Sequence, residues 1–108
     1  MSFEVALSQN FKQEAKRLVK KYPSLKTELA ELGEELSENP TLGIPLGNDV
    51  YKIRLAVASK GKGKSGGARV ISFVKIIDTK VYLLSIYNKG EKDSMSDKEI
   101  KELLEKYL

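Results

Sequence analysis

Between Val50 and Lys89 the chain carries three β-like stretches in succession, "VYKIRLAVAS", "GARVISFVKII" and "VYLLSIYNK". No other feature limits its possible folds as much. In the first stretch Tyr51, Ile53, Leu55 and Val57 alternate with Lys52 and Arg54, the period-2 pattern of a strand with two unlike faces. The second is β-branched and nearly continuous in apolar residues, as strands favour. "IDTK" (77–80) reads as the turn of a hairpin joining the second and third. Strict alternation in the third puts Tyr87 on the face of Ser85 and Leu83. "SKGKGKSGG" (59–67) is then a long hairpin loop between the first two strands.

The flanks read as helices. "FEVALS" (3–8) is a short first strand, and Ser8 is placed to cap a helix whose apolar face is Phe11, Ala15, Leu18, Val19 and Tyr22. Pro23 interrupts, and Ser24 restarts a helix with a stripe of Leu25, Leu29, Leu32 and Leu36. "SENPTLGIPLGND" (37–49) has two prolines and two glycines and reads as a loop. "SDKEIKELLEKYL" opens on Ser96 and Glu99 at capping-box spacing, with Ile100, Leu103, Leu104 and Tyr107 as its apolar face. Core packing is the ordinary role of the first two stripes. The predicted order is β-α-α-β-β-β-α. It makes residues 1–108 one α+β domain, two N-terminal helices and a C-terminal helix packed on an antiparallel sheet.

Composition removes several chemistries. The chain has no cysteine and no histidine, so disulfides, thiolate metal sites and imidazole acid–base chemistry are excluded. Neither a metal nor a cofactor is expected. No apolar run nears the length of a membrane span and no signal-peptide layout is present, so a cytoplasmic location is expected. The net charge of +4 is unevenly spread: residues 50–80 hold eight basic residues and one acid, a net of +7. That concentration points to a polyanionic partner. Lys60, Lys62 and Lys64 alternate with glycine, which lets backbone and side chains fit an irregular anion, although charge on a hairpin tip also simply deters aggregation. The spacing is not that of a nucleotide-binding P-loop, and no helix follows it. Arg54 and Lys52 share a strand face, and Arg69 begins the adjacent strand. Tyr87 and Lys89 close the third strand, where a tyrosine is most often half-buried packing and, beside cations, can stack a base.

Taken together, "VYKIRLAVASKGKGKSGGARVI" and "VYLLSIYNKGEKDSMSDKEIKELL" resemble the RelE/ParE superfamily of bacterial toxins from type II toxin–antitoxin systems. The nearest branch is the HigB/RelE-type mRNA interferases, in which a "KIR" strand leads into a lysine/glycine loop, "GG-x-RVI" and a strand ending Tyr-x-Lys. The resemblance implies a twisted RelE-like sheet and a ribosome-dependent endoribonuclease that cleaves translated mRNA and is neutralised by a cognate antitoxin. Its implied partners are that antitoxin, the ribosome and mRNA. It also implies a catalytic set of Arg54, Lys64, Arg69 and Tyr87, with Lys52, Lys60, Lys62 and Lys89 contacting RNA or ribosome. Many ribosome-dependent members carry a further Arg, Tyr or His near the C-terminus; here "ELLEKYL" offers Lys106 and Tyr107. The alternatives are a ParE-like DNA gyrase inhibitor, against which Lys62, Lys64 and Arg69 argue, and a non-catalytic RNA- or ribosome-binding homologue.

Overall fold

The computed structural model describes residues 2–61, 63, 66–92 and 94–106. The chain runs β1 (Glu4–Leu7), α1 (Gln9–Lys21), α2 (Leu25–Glu38), β2 (Ile44–Gly47), β3 (Val50–Leu55), β4 (Ala68–Lys75), β5 (Lys80–Asn88) and α3 (Asp97–Leu104). The strands form one sheet in the order β1-β5-β4-β3-β2. The expected α+β layout is present, and helices cover both faces of the sheet. Phe11 and Leu18 of α1 and Leu25, Leu32 and Leu36 of α2 pack against Ile53, Val70, Val81 and Ile86 on one face. Ile100 and Leu104 of α3 pack against Val50, Ile71, Phe73, Leu84 and Tyr87 on the other. β4 lies in the middle and is buried along almost its whole length, which explains its nearly continuous apolar sequence.

Four details depart from the sequence expectation. The sheet is mixed, because β1 pairs parallel with β5, Glu4 opposite Lys80 and Leu7 opposite Leu83. The segment expected to be only loop contains β2, an exposed edge strand antiparallel to β3. Pro45 is tolerated there because an edge strand has one ladder side free, and the return turn places Gly47, Asn48 and Asp49 at positive φ. The first long strand stops at Leu55 instead of running to Ser59, since Ala58–Lys60 form a 3₁₀ turn captured by α2. Glu28 accepts from the Ala58 amide at 2.8 Å, while Ser24 and Ser59 exchange amide-to-hydroxyl bonds at 2.7 and 2.9 Å. Ile76 and Ile77 also leave the ladder, in a second 3₁₀ turn ahead of Thr79 at positive φ.

The helix caps follow the sequence. Ser8 accepts from the Phe11 amide at 3.0 Å. Ser96 and Glu99 form the full capping box, with the Ser96 amide donating to Glu99 Oε1 at 3.1 Å and the Glu99 amide to Ser96 Oγ at 3.2 Å. The Lys92 ammonium hydrogen-bonds Glu99 Oε2. That bond, with those from Ser96, holds the Glu99 carboxyl below its ordinary value of 4.5. A depressed carboxylate pKa contributes stability above the unfolded value that is lost as pH falls through the folded one. Acid titration of the melting temperature below about pH 4.5 should therefore show a loss that is smaller in Glu99→Gln than in wild type.

Candidate active site

The register of the three central strands builds the site. Arg54 of β3 stands directly opposite Arg69 of β4. Arg69 stands directly opposite Tyr87 of β5. Cross-strand partners share a face, with Cβ atoms about 4.5–5.5 Å apart. The three side chains therefore form one row across the sheet, on the α3 side where Tyr87 packs. Two arginines directly opposite each other repel, and an anion placed between them relieves that repulsion.

The members of the row differ in exposure. Arg54 is exposed. Among the described residues the ion pairs are Arg17–Glu91, Lys75–Asp78, Lys80–Glu4 and Lys92–Glu99, none of which uses Arg54. Arg69 is only 4% exposed, on the central strand, and its Nη1 donates to the Ala68 carbonyl at 3.1 Å. It is a buried cation on the central strand, not a surface charge. Tyr87 is 5% exposed, with the Lys92 ammonium 5.9 Å from its ring centre. Strict alternation placed it with Leu83, but Leu83 belongs to the α1/α2 cluster and Tyr87 to the α3 cluster. The cause is a register shift between Ile71 and Ser72, where β5 holds Leu84 as an extra residue.

Lys52 lies two residues before Arg54 on the same face, half-buried between Ile44 and Ile71. Lys89 follows β5, and its amide donates to the Gly67 carbonyl at 3.1 Å, which brings it to the end of the row. Lys62, Lys64 and Tyr107 lie outside the described residues. Beside β3 a groove of about 690 Å³ has Glu28, Glu31 and Glu35 of α2 along one wall and Lys52 and Arg54 at its rim. Three carboxylates make that wall unfavourable for a phosphate backbone.

Lys60 is turned inward. Its ammonium donates to the Gly66 carbonyl at 2.7 Å, to the Gly67 carbonyl at 3.4 Å and to Asn88 Oδ1, and stands 5.6 Å from the centre of the Tyr22 ring. Asn88 in turn donates to the Tyr22 hydroxyl and to Glu91 Oε1, each at 3.1 Å. These bonds tie the start of the lysine/glycine loop to its end and to the end of β5. Gly67 has a steric role of its own: a Cβ there would sit 2.0 Å from the Leu55 carbonyl oxygen. Sequence reading missed Tyr22, Asn88 and Lys92 as parts of this region. Tyr22 looked like one more core residue of a helical stripe, and the other two have no distinctive spacing.

A family model described as the RelE toxin of the RelE/RelB toxin–antitoxin system matches residues 7–106. The chain belongs to the RelE toxin family. Two solved structures of the E. coli RelE toxin align with it over the full length of both chains. A double arginine-to-alanine variant in the free state gives 17% identity and a TM-score of 0.66, and the isolated toxin gives 18% and 0.60. At that identity they establish the shared fold. The RelE model carries the membership, and with it the expectation of a toxin paired with an antitoxin.

Two substitutions test the loop anchor. Lys60→Met keeps the apolar stem and removes the ammonium, leaving Asn88 and two carbonyls without their charged donor. It should lower unfolding free energy by about 1.5 kcal/mol or more in denaturant titration. A stability equal to wild type would return Lys60 to the solvent-facing charges. Gly67→Ala, forced against the Leu55 carbonyl, should be more damaging than Gly66→Ala in the same titration.

Proposed function

We propose that this chain is a ribosome-dependent endoribonuclease that cleaves translated mRNA and is silenced by a cognate antitoxin. The observation that carries the reading is the row Arg54–Arg69–Tyr87 across three adjacent strands. RNA cleavage without a metal drives the ribose 2′-oxygen in line at the neighbouring phosphorus. The new P–O2′ bond forms as the P–O5′ bond breaks, and charge builds on the phosphoryl oxygens. Fixed guanidinium groups suit that demand, because they hold their charge and present paired N–H donors to a phosphate. In this reading Arg54 and Arg69 grip the scissile phosphate from adjacent strands. The Tyr87 ring packs among α3 residues under Lys92 and its hydroxyl is buried with it, so its part in this reading is at the end of the row beside Arg69 and not as a stacking platform for a base. The chain has no histidine, and in this reading a tyrosine or a lysine serves as proton acceptor. Lys64 adds charge at the phosphate, while Lys52, Lys62 and Lys89 contact the flanking backbone.

The exposed Arg54 gives the cleaner mutational test, because removing it disturbs no buried contact. Arg54→Ala should fold as wild type and cut ribosome-bound message about 10²–10³-fold more slowly, the size of effect seen on losing one transition-state donor. The measurement is mapping of new mRNA 5′ ends on programmed ribosomes. Arg69→Lys keeps the charge and loses the planar fork, so it should still bind ribosomes while cutting poorly. Growth arrest with intact message would set the nuclease aside in favour of a gyrase inhibitor or a non-catalytic binder.

Affinity for ribosomes should fall steeply with salt if the basic segment contacts phosphates. Lys62→Ala with Lys64→Ala should flatten that slope and leave the melting temperature almost unchanged, as expected of loop charges with little part in folding. An antitoxin able to mask the row needs acidic residues that order on binding. Co-expression of the neighbouring gene should yield a co-purifying complex and restore growth.

A further inference from the structure

We infer that Glu14 is a positioning residue that selects the face on which Tyr87 stands, acting from the opposite side of the sheet. The inference rests on the proposed role of Tyr87 for its activity arm and on geometry alone for its structural arm.

β5 carries one residue more than β4 between Leu83 and Ser85. On the β1 side of this bulge Leu83 faces Ser72; beyond it Tyr87 faces Arg69. A strand has a two-residue side-chain period, so one inserted residue exchanges the faces of everything that follows. Without the bulge, Tyr87 would fall on the face of Leu83, under α1 and α2, and Asn88 would take the α3 face. The row facing Arg54 would then end at Arg69.

The first turns of α1 hold the bulge. Ser8 Oγ and Asn10 Nδ2 donate to the Leu84 carbonyl at 3.1 and 3.0 Å. Glu14 Oε1 accepts from Ser85 Oγ at 2.7 Å, from the Ile86 amide at 3.2 Å and from Asn10 Nδ2 at 2.9 Å. One carboxylate oxygen thus joins the helix to the side chain and backbone that follow the extra residue. The sheet interior offers few other polar groups for such a task, and a buried amide left without an acceptor is costly. A bulged register with its polar groups satisfied competes against a straight register that buries Tyr87 on the wrong side. Glu14 weights that competition toward the bulge.

Three variants and two readouts test this. Glu14→Ala removes the acceptor, whereas Glu14→Gln removes the charge but keeps an oxygen in place. Ser85→Ala removes one bond only and serves should Glu14→Ala fail to fold. The first readout is the cross-strand nuclear Overhauser contact between the backbones of Arg69 and Tyr87, which needs no nuclease activity. The second is the single-turnover rate of message cleavage on programmed ribosomes, taken beside ribosome affinity. Glu14→Ala should lose or split the Arg69–Tyr87 contact and slow cleavage at least 10-fold, with ribosome affinity within a factor of about three. Glu14→Gln should restore both readouts, and Ser85→Ala should fall between. A Glu14→Ala protein with an intact contact and wild-type cleavage overturns the inference. So does a Glu14→Gln protein as impaired as Glu14→Ala, which would make the charge and not the acceptor the cause. If wild type cuts no message, the proposed function fails, while the backbone contact still decides the role of Glu14.

Discussion

The ladder between β4 and β5 has one residue more on one side than on the other, and the two faces of the sheet are allotted by that inequality. Before Leu84, β5 gives Val81 and Leu83 to the helices α1 and α2; after it, Ile86 goes to those helices and Tyr87 to α3. The apolar surface buried on both sides fixes this allotment, because a slip of one position would turn Ile86 and Tyr87 to the wrong layers together. The same inequality adds Tyr87 to the row that Arg54 and Arg69 begin. A packing constraint and a chemical arrangement therefore share one cause, and the site is as well fixed as the core beneath it.

Much of this was readable in advance, and the reasons divide by residue. Ser8, Ser96 and Glu99 act within one turn of their own position, so their capping roles follow from spacing. Arg54 and Arg69 flank a single hairpin, which made their proximity foreseeable from a rule about neighbouring strands. The site of the bulge was not foreseeable, since nothing in "VYLLSIYNK" separates a bulged from a regular strand. Its partners Ser8, Asn10 and Glu14 are more than 70 positions away in the chain. Edge strand β2 was hidden by Pro45, a residue that argues against a central strand but not against an outer one. The parallel β1 required knowing which edge of the sheet it would join, information held by tertiary packing and not by its four residues.

The lysine/glycine stretch illustrates how composition can point to the right region and blur the individual roles. Its charge is real, but the first lysine is spent on carbonyls and an asparagine at the base of the hairpin. The last glycine is there because the Leu55 backbone passes too close for any side chain. Neither function leaves a trace in hydropathy or charge, and both depend on where the chain returns after the loop.

That return has a consequence for how the family can diversify. Lys60 and Gly67 close the hairpin at its base, with Asn88 and Lys89 as witnesses on the next strand, so the sheet is sealed off from whatever lies between them. Closing a longer loop adds only slowly to the entropic cost, about 0.6 kcal/mol for each doubling of length. The segment can therefore grow, shrink or change its charges between relatives while the scaffold stays in register. Changes of length or charge in the loop are thereby uncoupled from the arginine row, which keeps its place on the sheet behind it.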